Sequence, residues 1–198
     1  MHPALADSRK PLALGGPITA TFFIILFLIL GLAIEGRNFW CRQGDLAIWV
    51  SAAWNSSHTS QHFLDPYTFT HILHGVALFW ITALIFRHSG PKTRFVWAMI
   101  LEAVWELFEN SDFIIERYRA NTISLDYFGD SIANSIFDLI ACGIGFIIAA
   151  RLGWLRSIIF FVLLELVLIY FVHDSLVLNI VMLLYPFEII KNWQMQGA

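Results

Sequence analysis

The chain has 198 residues, 58% of them hydrophobic and only 14% charged, with a net charge of -3 and a mean hydropathy of +0.68. A soluble domain carries about a quarter charged residues, and here the apolar residues come in long blocks. A soluble enzyme is thereby excluded, and an all-α polytopic membrane bundle of five to six transmembrane helices is expected, with the lipid bilayer as its surroundings. No basic cluster and no nucleotide-binding glycine motif is present, so a nucleic-acid partner is not expected.

In chain order, a polar tail with Arg9 and Lys10 leads into an apolar run at 17–36, long enough to cross a bilayer. The run imitates a signal peptide but is long for one, and an uncleaved first helix is expected. A polar loop at 37–67, rich in Trp, Ser and His, separates it from a second span at 68–86. Further spans are expected at 95–115, 130–150 and 155–172, with a sixth at 176–190. That last piece is short and holds Pro186, so it reads equally as a re-entrant or interfacial segment. Cys41 in the loop and Cys142 in an apolar run occupy different contexts, so no disulfide is expected. No repeat divides the chain, and 1–198 is treated as a single integral membrane domain.

Six spans with the N-terminus in the cytoplasm would place Arg9, Lys10, Arg87, Lys92, Arg94, Arg151, Arg156 and Lys191 inside. Only Arg37, Arg42, Arg117 and Arg119 would lie outside, so the positive-inside rule favours both termini in the cytoplasm. Trp97, Trp154 and Trp193 fall where anchors at the inner interface are expected.

The chemistry concentrates at 101–139. At 100° per residue, Glu102, Glu106 and Glu109 fall within an arc of about 60° on the third span. Each central acid costs about 2.5–3.5 kcal/mol on the insertion scale, so this face must meet other helices or water. Asp130, Asn134 and Asp138 recur every fourth residue on the next span, among small residues that permit close packing, and the third span is its expected partner. His71 and His74 lie at the outer end of the second span, and His58, His62 and His173 fall on the same side.

Such a constellation suits a divalent metal ion, Zn²⁺ or Mg²⁺, that activates water against an ester or phosphoester. On that reading His71, His74, Asp130 and Asp138 bind metal, and Glu102, Glu106 and Glu109 supply the general base. Arg117, Arg119 and Asn134 contact a lipid-type substrate at the outer leaflet. Two rivals remain open: a structural polar network, as in an assembly factor, and proton or cation transport along the acidic stripe. His58 and His62 read more simply as solvated loop residues, and Asp126 or Asp130 as a helix cap. Gly-x-Ser-x-Gly and His-Glu-x-x-His motifs are absent.

The runs QHFLDPYTFTHILHG (61–75), LEAVWELFENSDFIIERYRANTISLDYFGDSIANSIFD (101–138) and HDSLVLNIVMLLYPFEIIKNWQ (173–194) closely resemble an uncharacterised family of small multi-pass bacterial inner-membrane proteins, a domain of unknown function. The resemblance covers most of the chain from about Cys41 and implies a location in the bacterial cytoplasmic membrane. It brings no reaction, ligand or catalytic residue. Members often carry Cys-x-Cys in the first loop; this chain keeps Cys41 but has Gln43, which weakens a reading of that loop as a thiolate metal site or redox pair.

Overall fold

The computed structural model describes residues 15–51, 56–122 and 124–196; Arg9 and Lys10 lie outside them. The described residues form eight helices and no strand: α1 (Gly15–Ile34), α2 (Thr68–Ile85), α3 (Pro91–Glu109), α4 (Asp112–Asn121), α5 (Ile132–Leu152), α6 (Trp154–Val172), α7 (Leu176–Leu184) and α8 (Glu188–Met195). Four of them, α1, α2, α5 and α6, are long and apolar enough to cross a membrane. The third expected span is interrupted: α3 stops at Asn110–Ser111, and 112–121 forms the separate helix α4.

At the centre stands α5, two-thirds of whose membrane window is buried, against 17% for α1 and α6. Its small residues explain the position. A Cβ at Gly75 of α2 would overlap the carbonyl oxygen of Cys142, and one at Gly145 would overlap that of Ile72. The two backbones therefore touch at reciprocal glycines, a packing in which small residues replace hydrophobic drive as the source of close contact. Sequence spacing pointed to α3 as the main partner of α5; the glycines make it α2, with α3 packed on both and on α1. The contact between α1, α3 and α5 is apolar, built from Leu28, Leu32, Met99, Ala103 and Leu139.

The two ends of the bundle differ. At one, α2 passes into α3 and α5 into α6 through tight turns at 86–90 and Gly153. At the other, the loop residues 35–51 and 56–67, α4 and the last two helices pack together. The first turn of α5 is capped there by loop carbonyls: Ser131 N–H donates to Ser60 O (2.9 Å), Ile132 to Asn38 O (2.9 Å) and Ala133 to Phe39 O (3.1 Å). Ser131 Oγ accepts from Asn134 N–H as the N-cap. Those bonds fold the loop over the end of α5.

The last segment, expected as a short span or as a re-entrant or interfacial piece, is split into two short helices. At about 1.5 Å per residue, α7 and α8 are each under half the roughly 30 Å hydrocarbon core, with 9 and 8 residues. The chain also returns on itself: Gln194 Nε2 donates to Asp174 Oδ1 (3.1 Å), and the Trp193 ring lies 5.1 Å from that of His173. Segment 176–195 therefore starts and ends at the loop end, whereas α1 begins at the turn end. The described ends of the chain thus stand at opposite ends of the bundle, where two cytoplasmic termini would have put them together, and Trp193 lies at the loop end. Glu165 of α6 accepts from Val177 N–H at the start of α7 (3.3 Å).

Candidate metal centre at the helix crossing

The α2–α5 crossing brings His71 and His74 against Asp138, and α3 supplies Glu102 and Glu106 from the third side. His71 Nδ1 lies 2.8 Å from Glu102 Oε1 and 3.2 Å from Glu106 Oε1, and its Nε2 lies 3.9 Å from Asp138 Oδ2. His74 Nδ1 faces the same Glu102 at 2.9 and 3.1 Å. The three carboxylates around His71 are buried, Glu106 at 0% and Glu102 at 1% exposure, while His74 is half-buried.

The polar accounting is uneven. Glu102 accepts from both imidazoles and is satisfied. A ring nitrogen carries one hydrogen, and His71 Nδ1–H is committed to Glu102 at the shorter distance. Both oxygens of Glu106 and Oδ1 of Asp138 then have no hydrogen-bond partner. Buried polar atoms are otherwise almost always paired, and an unpaired buried carboxylate is costly. Among the described residues, no Lys or Arg forms an ion pair with this cluster. His71, Glu106 and Asp138 lie close enough to hold one metal ion, as do His71, His74 and Glu102.

A cavity of about 60 Å³ opens beside the cluster, lined by His71, His74, Trp105, Glu109, Tyr118 and Asp138 and roofed by Leu176, Asn179, Ile180 and Leu183 of α7. It is room for about two waters. Glu109 reaches it with Oε1 accepting from Tyr118 O–H (3.1 Å), while Oε2 has no partner.

The expected site residues divide. Glu102, Glu106, His71, His74 and Asp138 come together, with Glu109 at the cavity. Asp130 lines that cavity too, but its oxygens accept from Tyr127 O–H (3.0 Å) and Asn110 Nδ2 (3.0 Å), and its own N–H donates to Asn110 Oδ1 (2.6 Å). Burial pushes the Asp130 carboxyl up, and those hydrogen bonds pull the other way. It is a clasp between the end of α3 and the start of α5. Asn134 is fully buried with neither amide atom paired.

Arg117 and Arg119 stay away from the cluster. Arg117 donates through Nε to Leu183 O and through Nη2 to Leu184 O (2.9 Å), closing the C-terminus of α7. Arg119 lies over the Phe128 ring at 4.8 Å. Asp126 is exposed and caps nothing; Ser131 holds that place.

Sequence reasoning passed over Asn110, which is completely buried and joins α3 to Asp130. It also passed over Asp65, whose carboxylate accepts from the N–H groups of Ser60, Tyr67 and Thr68 at the start of α2. The Asp-Pro-Tyr-Thr pattern ahead of an apolar run was its available signal. His62, expected in solvent, is 0% exposed.

The family model described as "Protein of unknown function (DUF2585)" matches residues 32–196. A "UPF0314 protein" of Brucella anthropi is 41% identical over 193 residues, covering 96% of this chain and 97% of the relative. One from Paracoccus denitrificans is 40% identical over 201 residues, covering 98% of each. A third, from Rhizobium meliloti, is 38% identical over 177 residues, 89% of each. No solved structure matches the chain.

Proposed function

Because the chain belongs to the DUF2585 family of proteins of unknown function, we propose its role from the site itself: a membrane-embedded, metal-assisted hydrolase or transferase acting on a lipid-type substrate. The carrying observation is Glu106, fully buried with both oxygens unpaired, beside His71 and Asp138. One imidazole and two carboxylates make a donor set for a divalent ion such as Zn²⁺ or Mg²⁺. Glu102 is then the orienting carboxylate, gripping both histidines through Nδ1, a common arrangement behind metal-bound imidazole.

A bound divalent ion would lower the pKa of a water in the adjoining cavity and polarise an ester or phosphoester. Glu109, with one oxygen held by Tyr118 and the other free, is placed to take the proton of that water. The apolar roof of Leu176, Ile180 and Leu183 suits an acyl chain. Arg117 and Arg119 have no part in this version, because both are engaged elsewhere.

On this reading α3, 19 residues long, is a fifth span whose acids face other helices and the cavity, and the N-terminus is cytoplasmic. With Lys191 moved outside by the fold-back of α8, the inner side still holds Arg9, Lys10, Arg87, Lys92, Arg94, Arg151 and Arg156 against five basic residues outside. The site then opens toward the outer leaflet of the bacterial inner membrane.

The test is metal-dependent turnover in mixed micelles of bacterial lipids. The purified protein should release a lipid product with added Zn²⁺, Mn²⁺ or Mg²⁺, and none after chelation. Glu109→Gln should keep the metal and lose at least 100-fold in rate. Metal retention together with no lipid turnover in wild type would refute the enzyme and leave a structural ion.

A further inference from the structure

A second cluster lies in the loop between α1 and α2. Cys41 Sγ is 3.5 Å from His58 Nδ1, and His58 Nδ1 is 3.2 Å from His62 Nε2. The three ligand atoms all lie within 4.8 Å of one another. Zinc bonds of about 2.3 Å to sulfur and about 2.05 Å to nitrogen, at tetrahedral angles, set S···N near ~3.6 Å and N···N near ~3.3 Å. The observed separations match both.

The protonation pattern agrees. His62 Nδ1 lies 2.7 Å from Ala47 O, so that nitrogen carries the hydrogen and Nε2 presents its lone pair. His58 Nδ1 then faces the Cys41 sulfur and that lone pair at once, so three donor atoms converge on one point. His62 is fully buried, Cys41 is buried at 6% exposure, and His58 is half-buried. The Trp40 ring, edge-on to His62 at 5.7 Å, walls the group from one side.

We propose that Cys41, His58 and His62 form a second metal site, taking a borderline or soft ion such as Zn²⁺ through one thiolate and two imidazoles, with the fourth position open to water. Its place gives it a task. Thr59 and Ser60, between the two histidine ligands, line the intramembrane cavity. Ser60 O caps α5 through Ser131 N–H, and Gln61 Nε2 donates to Gly129 O (2.8 Å). Ser60 itself is held at φ 54°, a left-handed backbone unfavourable for a non-glycine residue. An ion bound to Cys41, His58 and His62 staples the entry of the loop to this strained rim and fixes the mouth of the cavity. The thiolate sets this site apart from the carboxylate-rich one below, which favours harder ions.

The experiment uses the whole protein in detergent, stripped with chelator and titrated with Co²⁺. Wild type should gain a near-ultraviolet thiolate-to-cobalt charge-transfer band saturating at one equivalent. Cys41→Ser should lose the band, and His58→Gln should weaken binding at least tenfold while keeping the thiol and the fold. His71→Ala/His74→Ala and Cys142→Ser should both retain the band. Metal should also slow amide exchange across 35–67 in wild type and not in His58→Gln. Absence of the band in wild type, its persistence in Cys41→Ser, or its transfer to dependence on Cys142 overturns the proposal. Loss of lipid turnover with the band intact counts against the intramembrane enzyme alone.

Discussion

Two histidine pairs stand only nine residues apart in the chain, yet they meet opposite surroundings. His58 and His62 sit in a loop, against a thiol and a backbone carbonyl, and their cluster contains no carboxylate. His71 and His74 sit on a helix, against Glu102, with Glu106 and Asp138 around them. The loop pair is held by turns and hydrogen bonds at 56–65. The helix pair is held by the approach of two backbones at Gly75 and Gly145. Soft and hard donor sets are thus separated within one protein, the first forming part of the rim above the second.

The largest effect should come from breaking one side of this contrast at its support. Gly75→Leu forces side-chain atoms into the α5 backbone and should cost several kcal/mol. A loss of the monodisperse peak in size-exclusion chromatography is the expected readout. Gly90→Ala, at a turn with open space around it, should leave the peak unchanged.

Next comes Glu106→Gln, which should act with opposite signs under two conditions. With chelator present it removes an unpaired buried carboxylate and should raise the detergent melting temperature, by a few kcal/mol in stability. With Zn²⁺ or Mn²⁺ present it should lose most of the metal-induced stabilisation. His58→Gln should lose its share of metal stabilisation without any gain in chelator. A Glu106→Gln protein that melts with wild type under both conditions would favour a purely structural network.

The loop end also carries a pH dependence of its own. Burial pushes Asp65 up to about 6 and Asp174 up to about 7, from an ordinary 3.8. For Asp65 the neighbouring Asp130 adds to the shift. Raised folded-state values mean that the folded chain holds these protons where the unfolded chain has released them. The resulting stabilisation is complete below about 4 and is lost as pH rises through 6 and 7. Chelated protein should therefore melt higher at pH 5 than at pH 8, by up to a few kcal/mol. Asp174→Asn should flatten that slope.

Arg117→Ala should do least. It frees the carbonyls of Leu183 and Leu184 at the end of α7, costing about 1–3 kcal/mol locally. Amide exchange across 176–184 should quicken, with metal content at both clusters unchanged.

Apolar block lengths made α1, α2, α5 and α6 legible within a few residues, because spanning a bilayer is a length requirement. The break after α3 was not, since Asn110 stops the helix through a tertiary clasp with Asp130 that no local pattern reveals. The fold-back at 185–187 was half legible: Pro186 marked the place and left a span and a re-entrant piece both open, and the deciding contact joins Gln194 to Asp174 across 20 residues. In the site, helical periodicity placed Glu102 and Glu106 on one face, and the membrane penalty turned that face inward. Periodicity was silent on rotation between helices, so it could not separate Asp138, which meets His71, from Asp130, which meets Asn110. Charge alone suggested a phosphate for the arginines, and could not show that Arg117 donates to the end of α7 or that Arg119 lies over the Phe128 ring.

The most direct test is elemental analysis of the purified protein after saturation with metal and removal of excess. Wild type should retain an ion at the crossing of α2, α3 and α5, so that His71→Ala/His74→Ala carries one equivalent less while Cys41→Ser keeps it. Equal metal content in wild type and His71→Ala/His74→Ala, both folded, would contradict the account.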